Sequence, residues 1–135
     1  MGTFRAFRIS GSGLTAERLR MDTIANNLAN ANTTRTDAGG PYRRQVPVFA
    51  EMLRDRAGAP GGVRVVGVRE DNSEPRLVYD PQHPDASPDG YVAMPNVHVV
   101  KEMVDLITAT RAYEANVTAI NSAKAMAQKA LEIGR

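Results

Sequence analysis

The chain reads as an α+β protein: long N- and C-terminal helices pair as an antiparallel coiled coil, and a small β-rich segment is inserted between them. Three observations predict this. Residues 96–134 contain no internal proline or glycine between Asn96 and Gly134 and are rich in Ala, Met, Leu, Glu and Lys. Phe7, Leu14, Met21 and Leu28 recur every seven residues near the start. All eight prolines and most glycines fall between them. The expected organisation is residues 1–35 and 96–135 as paired terminal helices and 36–95 as the β-rich insert.

The C-terminal segment carries an apolar stripe of Val99, Met103, Leu106, Thr110, Tyr113, Val117, Ile120, Ala127 and Leu131. Its steps alternate three and four, the spacing of a coiled-coil seam, narrower than the apolar face of a globular-core helix. Lys124 interrupts the stripe. A chain of 135 residues cannot bury so long a helix without a partner of similar length.

The N-terminal segment supplies that partner. Its seven-residue repeat, filled out by Ile24 and Ala31, favours left-handed supercoiling. Gly11 and Gly13 each lower helix propensity by about 1 kcal/mol, so fraying or bending is expected before Leu14. The asparagine-rich run from Asn26 to Thr34 marks the end, because Asn tolerates the left-handed conformation that closes helices. The expected pairing sets Leu14, Met21 and Leu28 against residues such as Val117, Ile120 and Ala127.

The insert has strand-like runs at Gln45–Phe49 and Val63–Val68, with shorter candidates at Arg76–Tyr79 and Tyr91–Met94. Gly58–Gly62 reads as a connector. Ser87-Pro88-Asp89-Gly90 has the residues of a tight turn. Glu51–Arg56 is a candidate short helix. Acidic residues exceed basic ones between Glu70 and Asp89.

Composition excludes several function classes. Aromatics make up 5% and tryptophan is absent, so no large compact core is expected. The formal charge of +2 is too small to imply nucleic acid, and the arginines and lysines are scattered apart from Arg43-Arg44. No cysteine is present, which removes disulfides and cysteine-based zinc sites. No apolar run approaches the roughly 20 residues that span a bilayer. No signal peptide is visible, because Arg5 and Arg8 interrupt the start and no apolar core follows. Those features suggest a cytosolic protein or one exported without a cleaved signal.

Catalytic chemistry finds little support. Asp80, His83 and Asp85 are the nearest thing to a metal-ligand set, but a proline-stiffened loop with solvated side chains explains them better, since ligands need a supporting shell. His98 lacks a second ligand at helical spacing. Glycine-rich stretches are followed by Pro or Val and never by Gly-Lys-Ser/Thr, so a phosphate cradle is unsupported. Ser10 and Ser12 do not sit on a strand-to-helix elbow. Glu70, Asp71 and Glu74 read as turn charges. No catalytic residue, metal, cofactor or small-molecule substrate is expected.

The tract Ala25-Asn26-Asn27-Leu28-Ala29-Asn30-Ala31-Asn32-Thr33 is costly for a helix. Alanines permit close approach and carboxamides bond across a contact, so an interhelical polar contact is favoured over a fraying end. Asn27, Asn30 and Asn32 are the expected participants.

With Ile24 in front, this tract closely resembles the N-terminal signature of flagellar rod, hook and hook-associated proteins. Thr34-Arg35-Thr36, Gly39–Gln45, Val78-Tyr79-Asp80-Pro81, His83-Pro84-Asp85, Gly90–Val97, Glu102-Met103-Val104-Asp105 and Arg111–Val117 are similar to the proximal rod subunits of that family. Met52–Gly62 matches no motif. The resemblance covers nearly the whole chain.

It implies a structural subunit of the bacterial flagellar basal body, not an enzyme. Such subunits assemble helically with themselves and other rod proteins into a hollow drive shaft across the periplasm. They leave the cytoplasm through the flagellar type III export apparatus without signal cleavage. The expected helix–helix and subunit interface comprises Phe7, Leu14, Met21, Ile24, Asn27, Leu28, Asn30, Asn32, Met103, Leu106, Tyr113, Val117, Ile120, Ala127 and Leu131. The free chain is expected to be partly disordered at its ends until assembly. Another rod subunit of the same family, a non-flagellar coiled-coil adaptor, and a small hydrolase or metal enzyme are the alternatives.

Overall fold

The computed structural model describes residues 2–54 and 56–134. Helix α1 spans Gly2–Ala29 and helix α2 spans Val99–Ile133. Between them run β1 (Gln45–Glu51), β2 (Val63–Glu70), β3 (Arg76–Tyr79) and β4 (Tyr91–Met94). The strands form two separate two-stranded antiparallel sheets, β1–β2 and β3–β4. At about 1.5 Å per residue the helices are about 42 and 52 Å long. The α+β architecture read from the sequence is the one observed.

The helices run antiparallel. Asn27 meets Glu102 near the insert, Gly13 abuts Asn116 midway, and Phe7 shares a cleft with Ala127 at the far end. Residue numbers on the two helices therefore run in opposite senses along the contact. Leu28 lies at the Glu102 end, and Ala127 lies beside Phe7. This corrects the expected facing order, in which Leu28 was set against the C-terminal half of α2.

The contact face of α2 is also turned by one residue. Leu106, Tyr113, Ile120 and Ala127 are half-buried. The fully buried column beside them is Glu102, Ala109 and Ala123, with Asn116 half-buried between. Met103 and Leu131 are exposed. On α1 the buried residues are Ala16, Thr23, Ile24 and Asn27, while Phe7, Leu14, Met21 and Leu28 are half-buried. Close approach is the reason. Large side chains at the centre hold helices apart, so the smallest residues occupy the line of contact and the larger ones flank it. The lysine at 124 was the sign of this, because Ala123 takes the buried position.

Gly11 and Gly13 do not interrupt α1. Gly13 is used for packing: a Cβ there would sit 2.9 Å from Asn116 Nδ2. Among the described residues no non-glycine has positive φ, so the asparagine run does not close α1 through a left-handed residue. Turns close it instead, with Ala31 N–H donating to Leu28 O at 3.3 Å and Thr33 N–H to Asn30 O at 3.1 Å. All four expected strands are present, the first two longer than read. Glu51 ends β1 and residues 52–54 are not helical, so the short helix expected over Glu51–Arg56 is absent there; Asp55 lies outside the described residues.

The β1–β2 hairpin lies along α1. Ser12 Oγ donates to Ile9 O at 2.7 Å and accepts from Val63 N–H at 3.1 Å. Gly62, at φ +99°, lets the chain pass against that serine, where a Cβ would be 2.5 Å from Oγ. The β3–β4 ribbon packs through Val92, which is buried with Pro95, Asn96 and Val97 just after it.

Candidate helix and subunit interface

One polar junction ties both helices to the insert, and Asn27 is at its centre. Asn27 Nδ2 donates to Gln45 O at 2.9 Å, and Asn27 Oδ1 accepts from Gln45 N–H at 2.9 Å. The carboxamide thus pairs with Gln45 as a neighbouring strand would, at the residue where β1 begins. The same Oδ1 accepts from Tyr42 O–H at 2.8 Å, and Tyr42 Oη accepts from Asn26 Nδ2 at 3.2 Å. Burial, helped by the charges of Glu102 and Glu70, pushes the Tyr42 phenol above its ordinary value. It therefore stays a donor to Asn27.

Asn27 Nδ2 also reaches Glu102 Oε2 at 3.4 Å. Glu102 sits in the first turn of α2 with its side chain 1% exposed. A carboxylate there is favoured by the positive end of the helix dipole, and a buried one requires a partner. Arg44 is that partner, its Nε donating to Glu102 Oε1. Arg44 also approaches Asp71 at 3.4 Å and Asp105 at 3.9 Å. Burial lowers the Arg44 pKa, but its bonds and charge pairing with Glu102 and Asp71 outweigh that and leave it raised. Asp71 is held below the ordinary carboxylate range, chiefly by its bonds from Ser73, with Arg44 adding to them.

Asn96 repeats the role of Asn27 on the other side. Its Oδ1 accepts from Arg44 N–H at 2.7 Å. Its Nδ2 donates to Asp71 O at 3.0 Å and Ser73 Oγ at 2.9 Å. Two carboxamides and one arginine therefore fix β1, the β2–β3 connection and the start of α2 to the end of α1. No buried side-chain polar atom among the described residues lacks a hydrogen bond. The junction is a joint: its charges are satisfied by one another and by the carboxamides around them.

The expected asparagines divide accordingly. Asn27 makes the interhelical contact. Asn30 bonds within its own tract, to Asn26 O at 2.9 Å and to Thr33 Oγ1 at 3.2 Å. Asn32 is exposed. Sequence reading missed Arg44, Glu102 and Asn96 as members of the junction. The available signal was Glu102 itself, which falls in register with Ala109, Asn116 and Ala123 at seven-residue spacing.

Of the cluster weighed as metal ligands, Asp85 ties its loop to the segment after α1. Asp85 Oδ2 accepts from Thr34 Oγ1 at 2.7 Å, and Arg35 pairs with Asp85 Oδ1. His83 Nδ1 accepts from Asp85 N–H at 3.0 Å. The bond from Thr34, then the nearby Arg35, holds Asp85 below the ordinary carboxylate range. Among the described residues no group of three His, Cys, Asp or Glu side chains could hold a metal. No helix among them is long and apolar enough to cross a membrane.

Much apolar surface is left uncovered. Among the described residues the buried apolar ones are Ala16, Ile24, Ala31, Val92, Val97, Ala109 and Ala123, four of them alanines. Phe4, Val100, Met103, Val104, Ile107, Met126, Leu131 and Ile133 are exposed along the helices. An apolar cleft between Phe4, Phe7, Ala127, Ala130 and Leu131 opens at the helix tips.

A chain of this form, with a thin core and long apolar faces open to solvent, is a structural subunit whose packing is incomplete alone. Comparison with known proteins agrees. The family model for flagella basal body rod proteins matches residues 7–35, and that for the C-terminal part of flagellar basal body rod FlgEFG proteins matches residues 89–133. The flagellar basal-body rod protein FlgC of Borreliella burgdorferi is 47% identical, with 98% of each chain covered. That of Bacillus subtilis is 47% identical and that of Escherichia coli O157:H7 44%, each over 100% of both chains. The chain belongs to the flagellar basal-body rod protein family, as a structural subunit of the FlgC type.

Proposed function

We propose that this chain is a subunit of the proximal rod, assembling helically with itself and with other rod proteins into the hollow shaft that transmits torque across the periplasm. It does no chemistry, takes no cofactor and binds neither nucleic acid nor a small-molecule substrate. It leaves the cytoplasm through the flagellar type III export apparatus without loss of a signal peptide. The observation that carries the reading is the uncovered apolar surface along both helices. Patches of that kind mark surfaces that a partner covers. Met103 and Leu131, exposed in the single chain, are available to neighbours, and Phe7 lines the cleft that a neighbouring helix would fill. Many small contacts along helices resist torsion without any one being strong.

The test is genetic and biochemical. Deleting the gene should abolish swimming and leave basal bodies without a complete rod. Expression of the intact chain should restore both, with the chain recovered full-length in purified basal bodies. A deletion strain that swims normally would refute the reading.

A further inference from the structure

The outer face of α2 is apolar near the insert and then becomes charged. Val100, Met103, Val104 and Ile107 are each more than half exposed. They lie on the side of α2 away from buried Glu102, Ala109 and Ala123. Their spacing of i, i+3, i+4 and i+7 is the one that anchors a second helix. One turn further along the same side stand Arg111 and Glu114, both exposed. The face is therefore complementary to a helix that carries small or apolar residues, then an acid, then a base.

The outer face of α1 has that order when followed from its C-terminal end. Ala29, Ala25, Asp22 and Arg18 are exposed on the side away from buried Asn27, Thr23 and Ala16. Asp22 stands seven residues from Ala29, as Arg111 stands seven from Val104. Arg18 lies four beyond Asp22, and Glu114 three beyond Arg111. Among the described residues none of these four charges belongs to an ion pair. Laid antiparallel with Ala29 against Val104, the two faces set Ala25 beside Ile107, Asp22 beside Arg111 and Arg18 beside Glu114. Laid parallel, Arg18 would meet Arg111 and Asp22 would meet Glu114. One chain cannot close this contact on itself, because its two helices turn these faces away from each other.

We propose that the outer face of α2 in one copy packs antiparallel on the outer face of α1 in a second copy, with Val104 on Ala29, Ile107 on Ala25, and ion pairs Asp22–Arg111 and Arg18–Glu114. The inference rests on the rod-subunit reading and deepens it. Alanines let the second helix approach closely, and burial of the apolar stripe supplies the strength. Exposed ion pairs are worth little each, but their order fixes direction and register. Two different faces meet, so the contact is heterologous and repeats from copy to copy. The register also staggers the copies. Within one chain Asn27 is level with Glu102 and Gly13 with Asn116, which puts Ala25 level with Val104. In the docked pair Ala29 of the second copy takes that level, a shift of four residues, or about 6 Å along the axis. A staggered side-by-side contact winds into an open helix and does not close as a flat ring.

The chain has no cysteine, so Ala29→Cys with Val104→Cys in one chain reports the contact. That variant is expressed in the deletion strain, and isolated basal bodies are mildly oxidised. Disulfide-linked dimers, trimers and higher multimers of this chain should appear, whereas either single variant should stay monomeric. Adding Arg111→Glu with Glu114→Arg keeps the net charge and reverses the order of charges. It should reduce swimming and multimer yield several-fold, and further addition of Arg18→Glu with Asp22→Arg should restore both. Circular dichroism checks that each variant keeps its helicity. Basal bodies that contain the chain without multimers, dimers alone, linkage to a different rod subunit, indifference to the reversal, or failure of the restoration would each overturn the contact and leave the rod role standing. A deletion strain that swims normally refutes the role itself.

Discussion

Replacing Asn27 by leucine keeps the number of side-chain heavy atoms and removes every hydrogen bond of the central carboxamide. Gln45 N–H, Gln45 O and Tyr42 O–H then lose partners at 2.9, 2.9 and 2.8 Å. Glu102 loses only a long contact at 3.4 Å and keeps Arg44. A stranded polar group costs about 1–3 kcal/mol. Gln45 and Tyr42 are half-buried, so water reaches part of each and the low end applies. Three groups near 1 kcal/mol give a loss of about 3 kcal/mol, a large part of the roughly 5–15 kcal/mol typical of a domain. For a chain of this size the midpoint of thermal unfolding should fall by about 10 °C. Asn30→Ala is the control, because Asn30 bonds only within its own tract, and it should cost less than about 1 kcal/mol. Circular dichroism on heating and in urea measures both. Equal losses in the two variants would sink the argument that Asn27 is the joint and Asn30 a local turn.

Three further outcomes follow from the same contacts. Arg44→Met alone should destabilise by about 3–5 kcal/mol, because it strands buried Glu102, whereas Arg44→Met with Glu102→Leu should recover much of that loss; urea unfolding of the two singles and the double decides it. Gly11→Ala, with nothing within 4 Å of the new Cβ, should stabilise by about 1 kcal/mol, and Gly13→Ala should gain less because its Cβ meets Asn116. Asp71 and Asp85 have folded pKa values below the ordinary 3.8, so the stability they contribute is present above that pH and is lost as pH falls through their depressed values; Asp71→Asn with Asp85→Asn should flatten the fall in melting temperature below about pH 4.

Residues 96–134 declare a helix because nothing in them breaks one, and a seven-residue repeat needs no tertiary contact to be seen. The same holds for β3 and β4, whose limits follow from Pro75, Asp80, Gly90 and Pro95 around short apolar runs. Local chemistry also disclosed the Ser87–Gly90 turn, closed by Gly90 N–H on Ser87 O at 2.8 Å. The candidate interface was half legible: Asn27, Ile24, Leu106 and Ile120 were readable from spacing and residue type.

Which way the helices turned toward one another was decided only in the fold. Hydrophobicity marks Met103 and Leu131 as seam residues, yet packing rewards the closest approach of backbones, and alanine at 109 and 123 allows that. Glycine at 13 reads as a helix breaker in isolation and becomes a socket for Asn116 only when α2 is present. The junction was hidden for a similar reason. Arg44, Asp71 and the Asn96–Glu102 stretch are far apart in sequence, and each of these polar residues alone looks like a solvated surface residue. A charge can be buried only where its partners converge. The sequence determined the elements and their order. Convergence of those partners, a property of the folded chain, determined which polar residues hold it together.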